Sequence, residues 1–191
     1  MELLLDPQKQ YTYADYLTWL DDKRRELVNG VIRTMSAPVE KHQRICGDLF
    51  GELRQIIKNN TGKCRIYQSP FDVRLPKNGE KKDNQIYTVV QPDICIVCDL
   101  SKIDRRGCLG APDMVVEILS FSTAKYDTTR KFKLYEEVGV REYWIVYPSE
   151  GVEVFILQPD GKYDEGTRYE MGKVPVHIFD GIEIDLKDIF D

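Results

Sequence analysis

Apolar and polar residues alternate along the chain with two different periods, and each period predicts an element. Over residues 39–60 the apolar side chains Ile45, Leu49, Leu53, Ile56 and Ile57 recur every three to four positions, the stripe of a helix buried on one side. Asn60, Thr61 and Gly62 close that helix, the longest expected. A second helix is expected over residues 122–138, ending at Gly139. Runs rich in β-branched and aromatic residues predict strands at 65–75, 86–90, 93–98 and 114–119, with a polar loop at 76–85. REYWIVYP and GVEVFILQ read as a hairpin across residues 148–151. In ELVNGVIRTMS the pair Asn29-Gly30 suits the positive φ angles of a two-residue hairpin turn. Thr12, followed three residues later by Asp15, has the form of a helix N-cap ahead of YADYLTWLDD. Short strands near Tyr169, Val176 and Ile182 and a closing turn at 186–190 complete the chain. This order predicts an α/β fold, a mixed sheet flanked by helices.

Length and composition narrow the class. The 191 residues contain no linker-like stretch, internal repeat or low-complexity segment, so one domain over residues 1–191 is expected. With 42% hydrophobic and 31% charged residues the chain has the balance of a globular protein. No apolar run approaches the roughly 20 residues that cross a bilayer. The opening MELLLDPQ has no basic leader, so a cytoplasmic location is expected. Five cysteines, an odd number, predict reduced thiols. Cys95 and Cys98 have zinc-like spacing, but they fall on a strand, point to opposite faces, and lack a second pair. The net charge of -5 opposes a purely electrostatic nucleic-acid binder. Local basic residues offset it: Lys81, Lys82, Lys102, Arg105, Arg106, Arg130, Lys131 and Lys133 fall in or beside predicted loops and one helix.

Two acids break the apolar pattern. Glu117 interrupts MVVEILS and Asp93 interrupts VVQPDICIV, directly after Pro92. A buried carboxylate must be neutralised, paired or bound to a cation. Either acid alone fits a strand-end cap or an ion pair. Together, on strands joined through a loop at 99–111, they could present two hard oxygen ligands of the kind magnesium takes. Lys131 lies four residues after Asp127 and four before Tyr135, on one helical face. It is either the surface partner of Asp127 or a cation directed at a scissile phosphate. No GxSxG elbow, HExxH helix or GxxxxGK loop is present, and no aromatic sugar platform lies near the two acids.

The segments ELVNGVIRTMS, PDICIV and APDMVVEILSFSTAKYDTTRKFKLYEEVGVREYWIVYP, with the helix beginning near His42, occur in an order that resembles the Uma-type family of restriction-endonuclease-like proteins. That family is a branch of the PD-(D/E)XK nuclease superfamily, and the resemblance covers residues 11–190. It implies the restriction-endonuclease-like fold, with a metal site at one edge of the sheet centre. It implies metal binding by Asp93 and Glu117, helped by the backbone carbonyl of Ile118. The superfamily lysine is expected two residues after the second acid, where this chain has Leu119; the resemblance places it at Lys131 instead. Glu26 matches a family position, as a catalytic candidate or as a partner of Arg24 or Arg25. His42 either faces solvent or packs on the helix, or it joins the site. Asp127 either orients Lys131 or pairs with it at the surface. The implied activity is hydrolysis of DNA phosphodiester bonds with magnesium, for which manganese could substitute, by a homodimer if both strands are cut. The alternative is a nuclease-fold module without turnover that binds DNA or protein.

Overall fold

In the computed structural model, which describes residues 6–60, 63–120 and 126–190, Thr12 caps the first helix, α1 (Tyr13–Tyr16). Its hydroxyl accepts from the Asp15 N–H, and the Asp15 carboxylate accepts from the Thr12 N–H at 2.8 Å. The helix stops after one turn because Leu17 and Leu20 are exposed and no apolar stripe holds a longer one. Strands β1 (Arg25–Val28) and β2 (Val31–Thr34) follow, joined at Asn29 and Gly30, whose φ angles are 52° and 80°. The long helix α2 (Glu40–Asn60) appears as expected, and its closure at Thr61 and Gly62 lies outside the described residues.

The chain continues through β3 (Arg65–Gln68), β4 (Val73–Arg74), β5 (Val89–Val90), β6 (Ile94–Val97), β7 (Ile103–Asp104), β8 (Gly107–Leu109) and β9 (Met114–Ile118). A π-helical turn (Asp127–Lys131) runs into α3 (Phe132–Val138), which ends at Gly139 with φ 84°. The start of the expected second helix, residues 122–125, lies outside the described residues. Then come β10 (Glu142–Tyr147), β11 (Gly151–Ile156), β12 (Thr167–Tyr169), β13 (Lys173–Pro175), β14 (Glu183–Asp185) and α4 (Lys187–Phe190).

Where one mixed sheet was expected, the larger strands form two. One has the order β2-β1-β5-β4-β8-β7, the other β12-β11-β10-β9-β6-β3, and β13 pairs with β14 apart from both. Each of the six-stranded sheets is mixed: β4 runs parallel to β8 and β9 parallel to β10, among antiparallel pairs. The expected strand 65–75 divides into β3 and β4, and the expected strands 86–90 and 93–98 appear as the separate β5 and β6, with a break between the members of each pair. Pro70 and Pro92 fall in these breaks, and a proline has no N–H to extend a ladder. Since β3 pairs with β6 and β4 with β5, both segments leave one sheet and enter the other at the same level. Asp93 stands at that crossing.

The second sheet is covered on both sides. Ile45, Leu49, Leu53 and Ile57 of α2 pack on Ile94, Ile96, Met114 and Val116. Leu134 and Tyr135 of α3 pack with Cys95, Val97, Val115 and Tyr143 on the opposite face. Each such side chain contributes about 1.5–3 kcal/mol by leaving water. Among the described residues no helix is long and apolar enough to cross a membrane. The cysteines correct the all-thiol expectation: Cys64 and Cys98 form a disulfide, one step beyond the Arg65↔Val97 pair of β3 and β6. Only that antiparallel register brings them opposite each other. Cys46, Cys95 and Cys108 are buried thiols.

Candidate active site

Strand alternation decides where the acids go. On β9, Val116 and Ile118 face α2 while Val115 faces α3, so Glu117 points with Val115 toward α3. One step past the antiparallel pair Ile94↔Val116, Asp93 comes opposite Glu117. Lys131 Nζ lies 2.8 Å from Glu117 Oε1, and the Tyr135 hydroxyl donates to the same oxygen at 2.7 Å. The ammonium also lies 2.9 Å from Glu26 Oε1, which accepts the Gln91 N–H at 3.0 Å. Glu26, Glu117 and Lys131 are 1%, 3% and 3% exposed, so this lysine is an interior group and not a surface partner. The side chain of Asp127 lies outside the described residues.

Asp93 is held from two sides. Its Oδ2 accepts the Ile118 N–H at 2.8 Å and lies 3.1 Å from His42 Nε2. His42 is buried, so α2 contributes to the site and does not turn this ring to solvent. Burial, and after it the Asp93 and Glu117 carboxylates, push the nearby Cys46 thiol up to about 12. Burial first, then Glu117 and Glu26, raise the Tyr135 phenol well above its ordinary value, so it stays protonated and donates.

Asp93, Glu117, Lys131, Glu26 and His42 line one cleft of about 630 Å³, with Ile118 and Leu119 in its wall. The structure adds Arg33, Lys41 and Tyr126, which sequence reasoning missed, and Arg24, which it considered only as an ion-pair partner of Glu26. Of the basic residues singled out from the sequence, only Lys131 lines the cleft; Arg106 pairs instead with Asp83 at 2.6 Å, and Lys102 Nζ donates to the Ala111 carbonyl at 2.8 Å. A signal for the two arginines was present. The Asn29-Gly30 turn fixes the hairpin register, which puts Arg33 opposite Glu26, and Arg24 lies two residues before Glu26.

Among the described residues, no group of three or more His, Cys, Asp or Glu side chains is arranged as a metal cage. Asp93 and Glu117 are the oxygen donors closest in kind to what a hard divalent cation takes. The zinc reading of Cys95 and Cys98 fails on geometry, since Cys98 is bonded to Cys64 and Cys95 is buried with its thiol raised well above its ordinary value by burial.

Comparison with known proteins identifies the family and the fold. The chain is 27% identical over 170 residues to the uncharacterised protein slr1290 of Synechocystis sp., covering 84% of this chain and 78% of that one. Its fold is similar, with a TM-score of 0.71 and 19% identity, to the crystal structure of "a putative nuclease belonging to DUF820" from Anabaena variabilis, over 94% of this chain and 97% of the other. The profile of the Uma2 family, described as "Putative restriction endonuclease", matches residues 13–187, so the chain belongs to the Uma2 family.

Proposed function

We propose that this protein is a cytoplasmic, magnesium-dependent DNA endonuclease in which manganese can replace magnesium. The observation that carries the reading is the convergence of Asp93, Glu117, Lys131 and Glu26, from the bend before β6, two strands and a helical turn, in one cleft. The donor set fits the ion, because magnesium is held by one or two carboxylates with waters completing the shell and needs no closed protein cage. Asp93 and Glu117 would hold it, with the Ile118 carbonyl. In an extended strand the N–H and C=O of one residue leave on the same side, and the Ile118 N–H leaves β9 toward Asp93. When bound, the ion supplies Lewis-acid polarisation of the phosphate and an acidified water.

The chain's own groups do the rest. His42 and the Ile118 N–H orient Asp93, while Tyr135 and Lys131 orient Glu117. Glu26, itself anchored by the Gln91 N–H, holds the Lys131 ammonium at the cleft wall, where it can stabilise charge developing on a phosphate. Leu119, just past the end of β9, stands where the superfamily lysine is usual, and Lys131 reaches the second acid from the helical side. A homodimer would supply two such sites, one for each strand of a duplex. A reducing compartment does not account for the Cys64–Cys98 disulfide.

Nicking of supercoiled plasmid tests the proposal. Wild type should cut in magnesium or manganese and not in EDTA, and Asp93→Ala should not cut in either. Metal-independent cutting, or equal cutting by the variant, rejects the assignment. DNA binding without any cutting selects the non-catalytic module instead.

A further inference from the structure

Arg24, Arg33 and Lys41, three cations of the cleft, differ from Arg25, Arg74 and Arg106 in what holds them. Arg25 is neutralised by Asp21, Arg74 by Asp104 at 2.7 Å and Arg106 by Asp83 at 2.6 Å. Arg24 and Arg33 have no carboxylate within ion-pair distance among the described residues. Neutral groups position them. Arg24 Nη2 and Nε reach Gln91 Oε1 at 3.1 and 3.3 Å, and Nη2 also donates to Ser69 Oγ. Gln91 is itself fixed from behind, donating from Nε2 to Asp72 Oδ1 at 2.9 Å and to the Tyr16 hydroxyl at 3.2 Å. The Arg33 guanidinium lies 3.6 Å from the centre of the Tyr126 ring, a stacking contact that leaves its charge intact. Lys41 Nζ likewise meets a neutral partner, donating to Ser149 Oγ at 2.8 Å.

The three come from β1's approach, β2 and α2, yet all line the cleft that holds Asp93 and Glu117. For the two arginines this is dictated by pairing: Arg33 is the direct cross-strand partner of Glu26, and Arg24 lies two residues before it on the same face. Keeping full positive charges oriented by amide, hydroxyl and aromatic groups, beside a carboxylate site in a chain of net charge -5, creates a local sink for anions. Its planar, fixed arginines match the forked geometry of phosphate oxygens.

We infer that Arg24, Arg33 and Lys41 form a phosphate-binding rim that grips the DNA backbone on either side of the phosphate to be cut. The inference rests on the nuclease reading for the identity of the ligand. Contacts of this kind set register and affinity and carry no base sequence.

The test is the salt dependence of binding to a short labelled DNA duplex in EDTA, where hydrolysis does not compete. Each phosphate contact adds about 0.9 to the magnitude of the slope of log affinity against log salt concentration. Arg24→Ala and Arg33→Ala should each make the slope shallower by about that amount, their combination by about twice as much. Arg33→Lys should keep the slope, and Lys162→Ala, a surface lysine paired with Glu136, should leave it unchanged. Thermal melts of each variant separate loss of contact from loss of fold, and Arg33→Ala, at a half-buried position, is the variant expected to fold normally. Slopes equal to wild type in folded Arg24→Ala and Arg33→Ala, or an equal change in Lys162→Ala, overturn the rim. The plasmid assay reports separately: a protein that binds with the predicted slopes but never cuts keeps the rim and loses the nuclease, and one that cuts with unaltered slopes does the reverse.

Discussion

Lys131 Nζ and Glu117 Oε1 are 2.8 Å apart although 14 residues separate them in the chain, and both side chains are only 4% exposed. A charge pair this deep is retained at a cost in desolvation, so its removal on one side leaves a buried charge poorly compensated. The pairing also ties the π-helical turn to the central strand of the second sheet, β9, and so couples the position of the lysine to that of the second acid.

Lys131→Ala should therefore lower stability by about 3–5 kcal/mol, with two carboxylates left without their shared cation. On the proposed reading it should still bind manganese, because the acids remain, while cutting about 10²–10³ times more slowly. Urea unfolding beside a manganese titration and a plasmid assay reads all three. Wild-type cutting by a folded Lys131→Ala would remove the lysine from the mechanism.

Divalent ions should stabilise the wild-type fold. At a concentration 100 times the dissociation constant the gain is about 2.7 kcal/mol. Thermal melts across a magnesium or manganese series should rise for wild type and stay flat for Asp93→Ala and Glu117→Ala. A flat wild-type series would count against a metal site between these residues.

Tyr135→Phe isolates the other donor to Glu117. The Tyr135 ring meets Tyr143 edge-on at 5.1 Å, a contact phenylalanine preserves, so the change removes little besides the hydroxyl. A lost bond to a charged acceptor should cost about 1.5–3 kcal/mol, seen as a lower urea midpoint at unchanged slope. Hydrolysis should fall less than in Lys131→Ala, since the ammonium still meets Glu117. A greater loss of rate than that of the lysine variant would assign Tyr135 a larger part than orienting the acid.

Away from the cleft, Glu142 gives the stability a pH dependence. It is 1% exposed, accepts from Trp144 Nε1 and the Ile178 N–H, each at 2.7 Å, and burial above all holds its carboxyl above the usual glutamate value. The folded state thus keeps this proton to higher pH than the unfolded chain does. Its contribution is complete below the ordinary glutamate pKa and is lost as pH rises through the folded value. Glu142→Gln cannot titrate, so the stability difference between wild type and variant should change across that interval, with wild type losing ground as pH rises. Parallel melting curves from about pH 4 to about pH 7 would show that Glu142 titrates alike in both states.

Much of this protein follows from local pattern. Thr12 and Asp15 form the expected capping box, Asn29 and Gly30 take the expected positive φ, and the stripe from Ile45 to Ile57 lies on the second sheet. Such features depend on residues a few positions apart, whose side chains choose among a few backbone conformations. Glu117 and Asp93 were legible for a related reason: a carboxylate in an apolar strand is anomalous wherever the strand goes. That Lys131 and Tyr135 share one helical face was readable from their spacing, and both now meet the same oxygen of Glu117.

Tertiary structure alone decided the rest. The division into two sheets at Pro70 and Pro92, the meeting of Cys64 with Cys98, the approach of His42 to Asp93, and the seating of Arg24, Arg33 and Lys41 around one cleft all join positions remote in the chain. No local period encodes these, because they depend on which strand edges pair and on the level at which the ladders cross. The basic residues Lys81, Lys102 and Arg106 looked just as suited to a polyanion in sequence, yet they fall outside the cleft. Charge type is written in the chain, but the direction a charge faces is settled only when register and packing assign each side chain to a face.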